Sequence, residues 1–230
     1  PAPPSEERLV AVRTLEEPCR AGKIRTGEGR RGRLPTRLGA CRRGVAGVAL
    51  LTPSAHRLAT PRLTLRHCTD ADVGALHALW THADVRRWLW DDLVIDLATA
   101  AEVVAASEAS FATRGFGQWC IELRGEADLI GFAGLREIEA TPDVEVLYGF
   151  TPAHWGNGFA TEASRAVLAH GFQSAGLARI AGRTDTPNRA SARVLERLGM
   201  RFEAEHIVNE RPTLHYAIER ETFDRASRTP

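Results

Sequence analysis

The sequence predicts one mixed α/β domain behind a flexible N-terminal arm. Three observations predict it. From about Leu58 onward, alternating strand patterns interleave with helical stripes. Capping residues stand where those helices should begin or end. The first 57 residues show neither feature.

The chain has 230 residues, enough for one domain of ordinary size plus an appendage. Hydrophobic residues make up 43% and charged residues 26%, which excludes a wholly disordered or membrane-embedded chain. The net charge of +1 hides an asymmetry. Residues 1–57 carry 12 Lys+Arg against 5 Asp+Glu, and the remainder carries 18 against 24. Lys23 is the only lysine.

In the arm, Pro, Gly and Arg dominate, as from Gly27 to Arg33, and no long apolar period appears. Its apolar run, Gly44 to Leu51 after Arg42-Arg43, is too short for a membrane span. It also stands too far along the chain for a signal-peptide core. The arm reads as a linker, and its arginines lack the interleaved aromatics of a nucleic-acid-binding segment. No nucleic-acid or membrane partner is expected. Cys19, Cys41, Cys68 and Cys120 form no C-x-x-C pair and no zinc-spaced cluster. They read as isolated thiols of a reducing, cytoplasmic compartment, and no metal is expected.

The elements follow in order. Arg62-Leu63-Thr64-Leu65-Arg66 alternates as a half-buried strand does. Thr69-Asp70-Ala71-Asp72 has the form of a capping box opening a helix through Leu79. Asp96 is the N-cap of a second helix that Gly115 ends. Strands over 117–124 and 128–135 are joined across Gly125-Glu126-Ala127 as a hairpin. Val144 to Phe150 is a further strand. A helix from about Gly158 to Ser174 carries Ala163, Val167, Leu168 and Phe172 on one stripe. Ala178 to Thr184 is a strand, and Asn188 to Leu198 a helix with Asn188 as N-cap and Gly199 past its end. Strands over about 201–208 and 213–219 close the domain. The order βααβββαβαββ is that of a mixed sheet. Three segments result: the arm 1–57, the domain 58–221 and a flexible tail 222–230.

The chemistry is concentrated in Trp155-Gly156-Asn157-Gly158-Phe159-Ala160-Thr161-Glu162-Ala163. A strand runs into a glycine-bearing turn, and the turn opens a helix. Helix N-termini present unpaired N–H groups and a partial positive charge, and glycine lets an anion approach that backbone. This is a phosphate cradle by construction. It is neither a Walker loop, since the lysine is missing, nor G-x-G-x-x-G, since residue 161 is Thr. Taken alone, the tripeptide reads equally well as a turn that merely needs glycine.

Context decides between these. Trp155-Gly156-Asn157-Gly158-Phe159-Ala160 is similar to the acyl-CoA motif [RQ]-x-x-G-x-[GA] of the GNAT superfamily, with Trp in the first place. That Trp is usual in its RimJ/RimL-type branch. Glu145-Val146-Leu147-Tyr148-Gly149-Phe150 resembles the branch's Glu-x-Gly-Tyr-x-hydrophobic strand, with Leu147 where Gly is usual. Asn188-Arg189-Ala190-Ser191, then Leu195, Gly199 and Met200, resembles a further family block. Leu58 to Arg66, Gly117 to Trp119, Leu129 to Leu135 and His215 to Ile218 match in order. The resemblance spans about 58–221.

The resemblance implies the GNAT acyl-CoA N-acyltransferase fold, and an N-acetyltransferase that moves the acetyl group of acetyl-CoA to a primary amine. It implies a splayed strand pair holding the pantetheine, with pyrophosphate on residues 155–160. Acetyl-CoA contacts fall to Tyr148, Phe150, Trp155, Gly156, Asn157, Gly158, Phe159, Ala160 and Asn188. A backbone N–H near Leu147 to Gly149 would polarise the thioester carbonyl. Glu145 is the first choice as general base, because alternation sets it apart from Val144, Val146, Tyr148 and Phe150; it reads equally as a surface carboxylate. With no cation nearby, burial would raise its pKa. Ser191 lies where a proton relay to sulfur would stand, or simply allows close packing. Leu195 replaces the tyrosine that many members use as acid. Asn188 is an N-cap, a pantetheine contact, or both. Trp80, Trp88 and Trp90 wall the amine pocket or fill the core. The acceptor is a small-molecule amine or a protein N-terminus, and a homodimer is the default assembly. The competing reading is a non-catalytic acyl-CoA-binding module of the same fold.

Overall fold

A computed structural model describes residues 57–138 and 141–228. The expectation of a flexible arm therefore lies, apart from Arg57, outside the described residues. The short β1 (Leu58–Ala59) turns into β2 (Leu63–His67), where Leu63 and Leu65 are fully buried and the residues between them are not. The capping box at Thr69 forms as expected: the Asp72 carboxylate accepts the Thr69 N–H at 2.8 Å and its hydroxyl at 2.9 Å. It opens a 3-10 turn and then α1 (Val73–Thr81). Next come α2 (Ala83–Leu89) and α3 (Leu97–Arg114). Asp96 caps α3 by accepting the Thr99 N–H at 2.8 Å, and Gly115 ends it at φ 77°. Two helices were expected here and three form. The additional one, α2, has seven residues with Arg86 and Arg87 inside it, too short for an apolar period to show.

The strands β3 (Gln118–Leu123), β4 (Leu129–Glu137) and β5 (Val144–Phe150) lead into α4 (Phe159–Gln173). Then follow β6 (Arg179–Asp185), α5 (Arg189–Arg197), β7 (Arg201–Val208), β8 (Arg211–Glu219) and α6 (Arg220–Arg228). The expected loose tail from 222 is instead this last helix as far as Arg228. Phe223 anchors it, 5% exposed, its ring 5.1 Å from that of Phe172. One apolar residue among charged neighbours leaves no stripe to read in sequence.

The strands form a single eight-stranded sheet in the order β1-β2-β3-β4-β5-β6-β8-β7. One apolar cluster joins Val167, Leu168 and Phe172 of α4 and Leu195 of α5 to Leu63, Ile121 and Ile180 of the sheet. A second joins Leu76 and Trp80 of α1 and Val104 of α3 to Cys120 and Phe132. Two of the supposedly isolated cysteines meet there: the Cys120 thiol donates to the Cys68 sulfur at 2.8 Å. Antiparallel pairing of β2 with β3, which sets Arg66 opposite Cys120, brings them together across 52 positions of sequence.

The feature that positions the site is the junction of β5 and β6. On its other edge β5 pairs antiparallel with β4 from Gly131↔Phe150 to Glu137↔Val144. With β6 it pairs in parallel at Glu145↔Ala181 alone. Beyond that pair no further β5–β6 pair forms among the described residues.

Candidate active site

The glycine turn sits where β5 leaves the sheet. The Trp155 indole N–H donates to the Phe150 carbonyl at 2.7 Å, and the Asn157 amide donates to the carbonyls of His154 and Trp155 at 3.3 and 3.2 Å. Gly156 and Gly158 both adopt φ 78°. A Cβ at Gly156 would meet nothing within 4 Å, and one at Gly158 only the Arg62 guanidinium at 3.6 Å. The need for glycine is therefore conformational: left-handed backbone costs other residues roughly 1–2 kcal/mol. Gly158 is also the N-cap of α4, with no side chain to offer its first turn. Helix geometry leaves the N–H groups of Phe159, Ala160 and Thr161 without helical acceptors. The result is a ring of backbone donors at the positive end of a 15-residue helix.

Long-range contacts brace this turn. Glu162 accepts from the Thr60 hydroxyl at 2.6 Å, the Arg62 backbone N–H at 3.0 Å and the Arg62 Nε at 2.7 Å. Arg62 also donates to the Asn157 carbonyl at 3.0 Å and lies 4.6 Å above the Phe159 ring. Burial pushes the Glu162 carboxyl up, but its bonds to Thr60 and Arg62 outweigh that and hold it below the ordinary value. Arg62 was not singled out in the sequence, because its partners lie 95 and 100 positions away.

Across the gap, Tyr148 and Ser191 share a hydroxyl–hydroxyl hydrogen bond of 2.8 Å, and Tyr148 also donates to the Ser191 carbonyl at 3.2 Å. The Ser191 N–H donates to Asn188 Oδ1 at 3.1 Å, the N-cap of α5. Burial pushes the Tyr148 hydroxyl up to about 12, against the lowering effect of Ser191. Three residues chosen from two separate motifs thus meet where β5 and β6 part.

One expectation changes. Glu145 is 4% exposed but not free: Arg136 Nε donates to it at 2.8 Å, and Arg183 donates from Nε and a terminal nitrogen at 2.7 and 2.8 Å. Burial works to raise its pKa, yet the two guanidiniums overcome that and lower it. The raised pKa expected of a general base is reversed, because the condition of no nearby cation is not met. Phe150, an expected cofactor contact, has its side chain in the core at 4% exposure, so close that a Cβ on Gly131 would come within 2.6 Å of the ring. Phe159 is partly buried and stacks on it, centroids 6.4 Å apart.

The remaining aromatic and histidine side chains separate clearly. Trp80 is core, Trp90 meets its edge at 5.9 Å, and Trp88 is exposed beside Arg87. His77 bonds the Ile95 carbonyl at 3.0 Å, His170 the Gly115 carbonyl at 2.7 Å, and His154 the Thr151 hydroxyl at 2.7 Å. Sequence reasoning missed Arg136, Arg183, His206 and His215. The two histidines stand together, ring centroids 4.7 Å apart. Only the strand register could have shown that these residues share one face.

The single β5–β6 pair thus lies beside a helix N-terminus that a left-handed glycine opens. The family model for the acetyltransferase (GNAT) domain matches residues 62–201. The chain therefore belongs to the GNAT acetyltransferase family and is an acetyl-CoA-dependent N-acetyltransferase. It is 33% identical over 147 residues to the uncharacterized N-acetyltransferase YoaA of Bacillus subtilis (strain 168), covering 64% of this chain and 83% of that one. A spermidine N-acetyltransferase from Vibrio cholerae, solved with CoA and spermine, superposes with a TM-score of 0.60 at 19% identity, covering 71% of this chain and 99% of that one. AAC(6')-Ib, solved with ribostamycin and coenzyme A, superposes at 0.62 with 19% identity, covering 73% and 98%. Among the described residues no helix is long and apolar enough to cross a membrane.

Proposed function

We propose that the acceptor is a primary amine, on a small molecule or a protein N-terminus, and that the chain is of the RimJ/RimL type. The branch rests on the Trp155-Gly156-Asn157-Gly158 run, and the observation that supports acetyl-CoA beside it is the single Glu145↔Ala181 pair, with the glycine turn following β5. In this reading the free backbone edge of β5 pairs with the pantetheine as an added strand would. Trp155, Gly156, Asn157, Gly158, Phe159 and Ala160 form the pyrophosphate cradle through their backbone, with Phe150 contributing no side chain. Asn188 contributes its remaining amide N–H groups. A backbone N–H near Tyr148 polarises the thioester carbonyl.

Two groups already hydrogen-bonded to each other, Tyr148 and Ser191, serve the leaving sulfur. A tyrosine held near 12 keeps its proton at neutral pH, so it acts as a hydrogen-bond donor to the developing thiolate. Glu145 orients Arg183 and Arg136 instead of taking a proton. Much of the rate comes from holding amine and thioester together. The catalytic unit runs from residue 58 through α6.

The test is thiol release from acetyl-CoA by the purified chain against polyamines, aminoglycosides, amino acids and peptide N-termini, with products read by mass spectrometry. Turnover of at least one amine supports the reading. Tight acetyl-CoA binding with no turnover of any class overturns it in favour of a non-catalytic module.

A further inference from the structure

We propose that His215 on β8 is the base that takes the proton of the incoming amine. This rests on the acetyltransferase reading above. The strand register places it. Glu145 faces Ala181 across the parallel pair, so two residues on, Leu147 stands level with Arg183 where the strands have parted. Arg183 is directly opposite His215 in the antiparallel β6–β8 pair. His215 thus stands one strand beyond the gap, level with the backbone proposed to hold the thioester carbonyl.

The faces separate the two proton tasks. Directly opposed residues of an antiparallel pair project to one face, so His215 shares a face with Arg183, and Arg183 with the Glu145 carboxylate it binds. Tyr148 leaves β5 on the opposite face and meets Ser191 on α5. A donor to sulfur therefore stands on one side of the sheet and an acceptor for the amine proton on the other. His215 Nε2 is buried and makes no hydrogen bond among the described residues.

The groups around it keep the imidazole neutral. Burial lowers its pKa, and so do His206 on β7 and Arg183 on β6; Glu145 on β5 and Glu203 on β7 oppose them more weakly. Glu145, the other candidate, has both oxygens occupied by arginines. In the step itself, the acceptor ammonium gives one proton to Nε2. The amine nitrogen then forms a bond to the thioester carbon, and the carbon–sulfur bond breaks with its electron pair on sulfur. The second nitrogen proton ends on that sulfur as the thiol, and the imidazolium returns its proton to water.

The experiment uses the full chain with an amine that the wild type turns over. The pH profile of kcat/KM is measured for wild type, His215→Gln and His206→Gln, with acetyl-CoA affinity by calorimetry alongside. His215→Gln is expected to lower kcat/KM at neutral pH by about 10²-fold, to remove the acidic limb and to leave acetyl-CoA affinity unchanged. His206→Gln removes a neighbour that lowers the His215 pKa, so that pKa rises and the acidic limb moves to higher pH. A folded His215→Gln with the wild-type rate and limb overturns the proposal while the acetyltransferase reading stands. Should that variant not fold, an unmoved limb in His206→Gln overturns it equally. A wild type that binds acetyl-CoA and acetylates nothing overturns both.

Discussion

The two edges of β5 are built in opposite ways. Against β4 it is laddered along its whole length, over a core that includes the fully buried Phe132 and the nearly buried Phe150. Against β6 it is joined at one pair, and the face there carries Glu145, Arg183, His206 and His215. The first edge satisfies its backbone internally. The second leaves N–H and C=O groups that something must pair, because unpaired backbone is costly away from water. In the proposed reading, stability and ligand capture are divided between the two sides of one strand.

The largest expected effect is on the glycine turn at the open side. Gly158→Asp adds a negative charge beside the backbone donors, and a charge pair about 4 Å apart at a protein surface is worth about 1–4 kcal/mol. Acetyl-CoA affinity by calorimetry should fall about a hundredfold. Gly158→Asn, which tolerates φ 78° without the charge, should retain most of it. Equal loss in both variants would make the position purely conformational.

The next effect tests the charged cluster. Glu145→Gln strips two guanidiniums of their partner, one of them on a half-exposed side chain. Breaking a buried pair costs about 3–5 kcal/mol, and exposure reduces this to about 2 kcal/mol, read as a lower chemical-denaturation midpoint at pH 7. Because the folded-state pKa is depressed, the contribution is present above the unfolded carboxyl value, about 4.3, and is lost as pH falls below it. The stabilities of wild type and variant should therefore converge on acidification. The acidic limb of activity should persist in the variant, since His215 sets it.

Smaller still is the pair that bridges the gap. Tyr148→Phe and Ser191→Ala should each slow kcat by about three- to tenfold, the worth of one hydrogen bond. The double variant should be little worse than either single one, because both remove the same contact. Full additivity would show that the two hydroxyls act separately. Smallest of all, removing residues 1–57 should leave acetyl-CoA affinity unchanged, since the family match begins at residue 62. A tenfold loss would place the arm in the site.

Much of the fold was legible because its signals are local. Thr69, Asp96, Gly115, Asn188 and Gly199 each mark a helix end through a bond or dihedral within a few residues. The elements missed have weak local signals: α2 is two turns long, and α6 shows one buried aromatic. In the site, the glycine turn was legible for the same reason. The environment of Glu145 was not. Alternation correctly set it apart from Val144, Val146 and Phe150, but its partners come from β4 and β6.

By itself, then, the sequence determined what depends on short spans: most of the element order, the left-handed glycines at 156 and 158, and the helix N-terminus they open. Tertiary structure decided what depends on register. It set Arg183 and Arg136 on Glu145, joined Tyr148 to Ser191 across 43 positions, stapled Arg62 to the glycine turn and brought His206 to His215. The physical reason is that a side chain's charge state depends on what surrounds it. For a residue in a sheet, those surroundings are supplied by neighbouring strands far away in the chain.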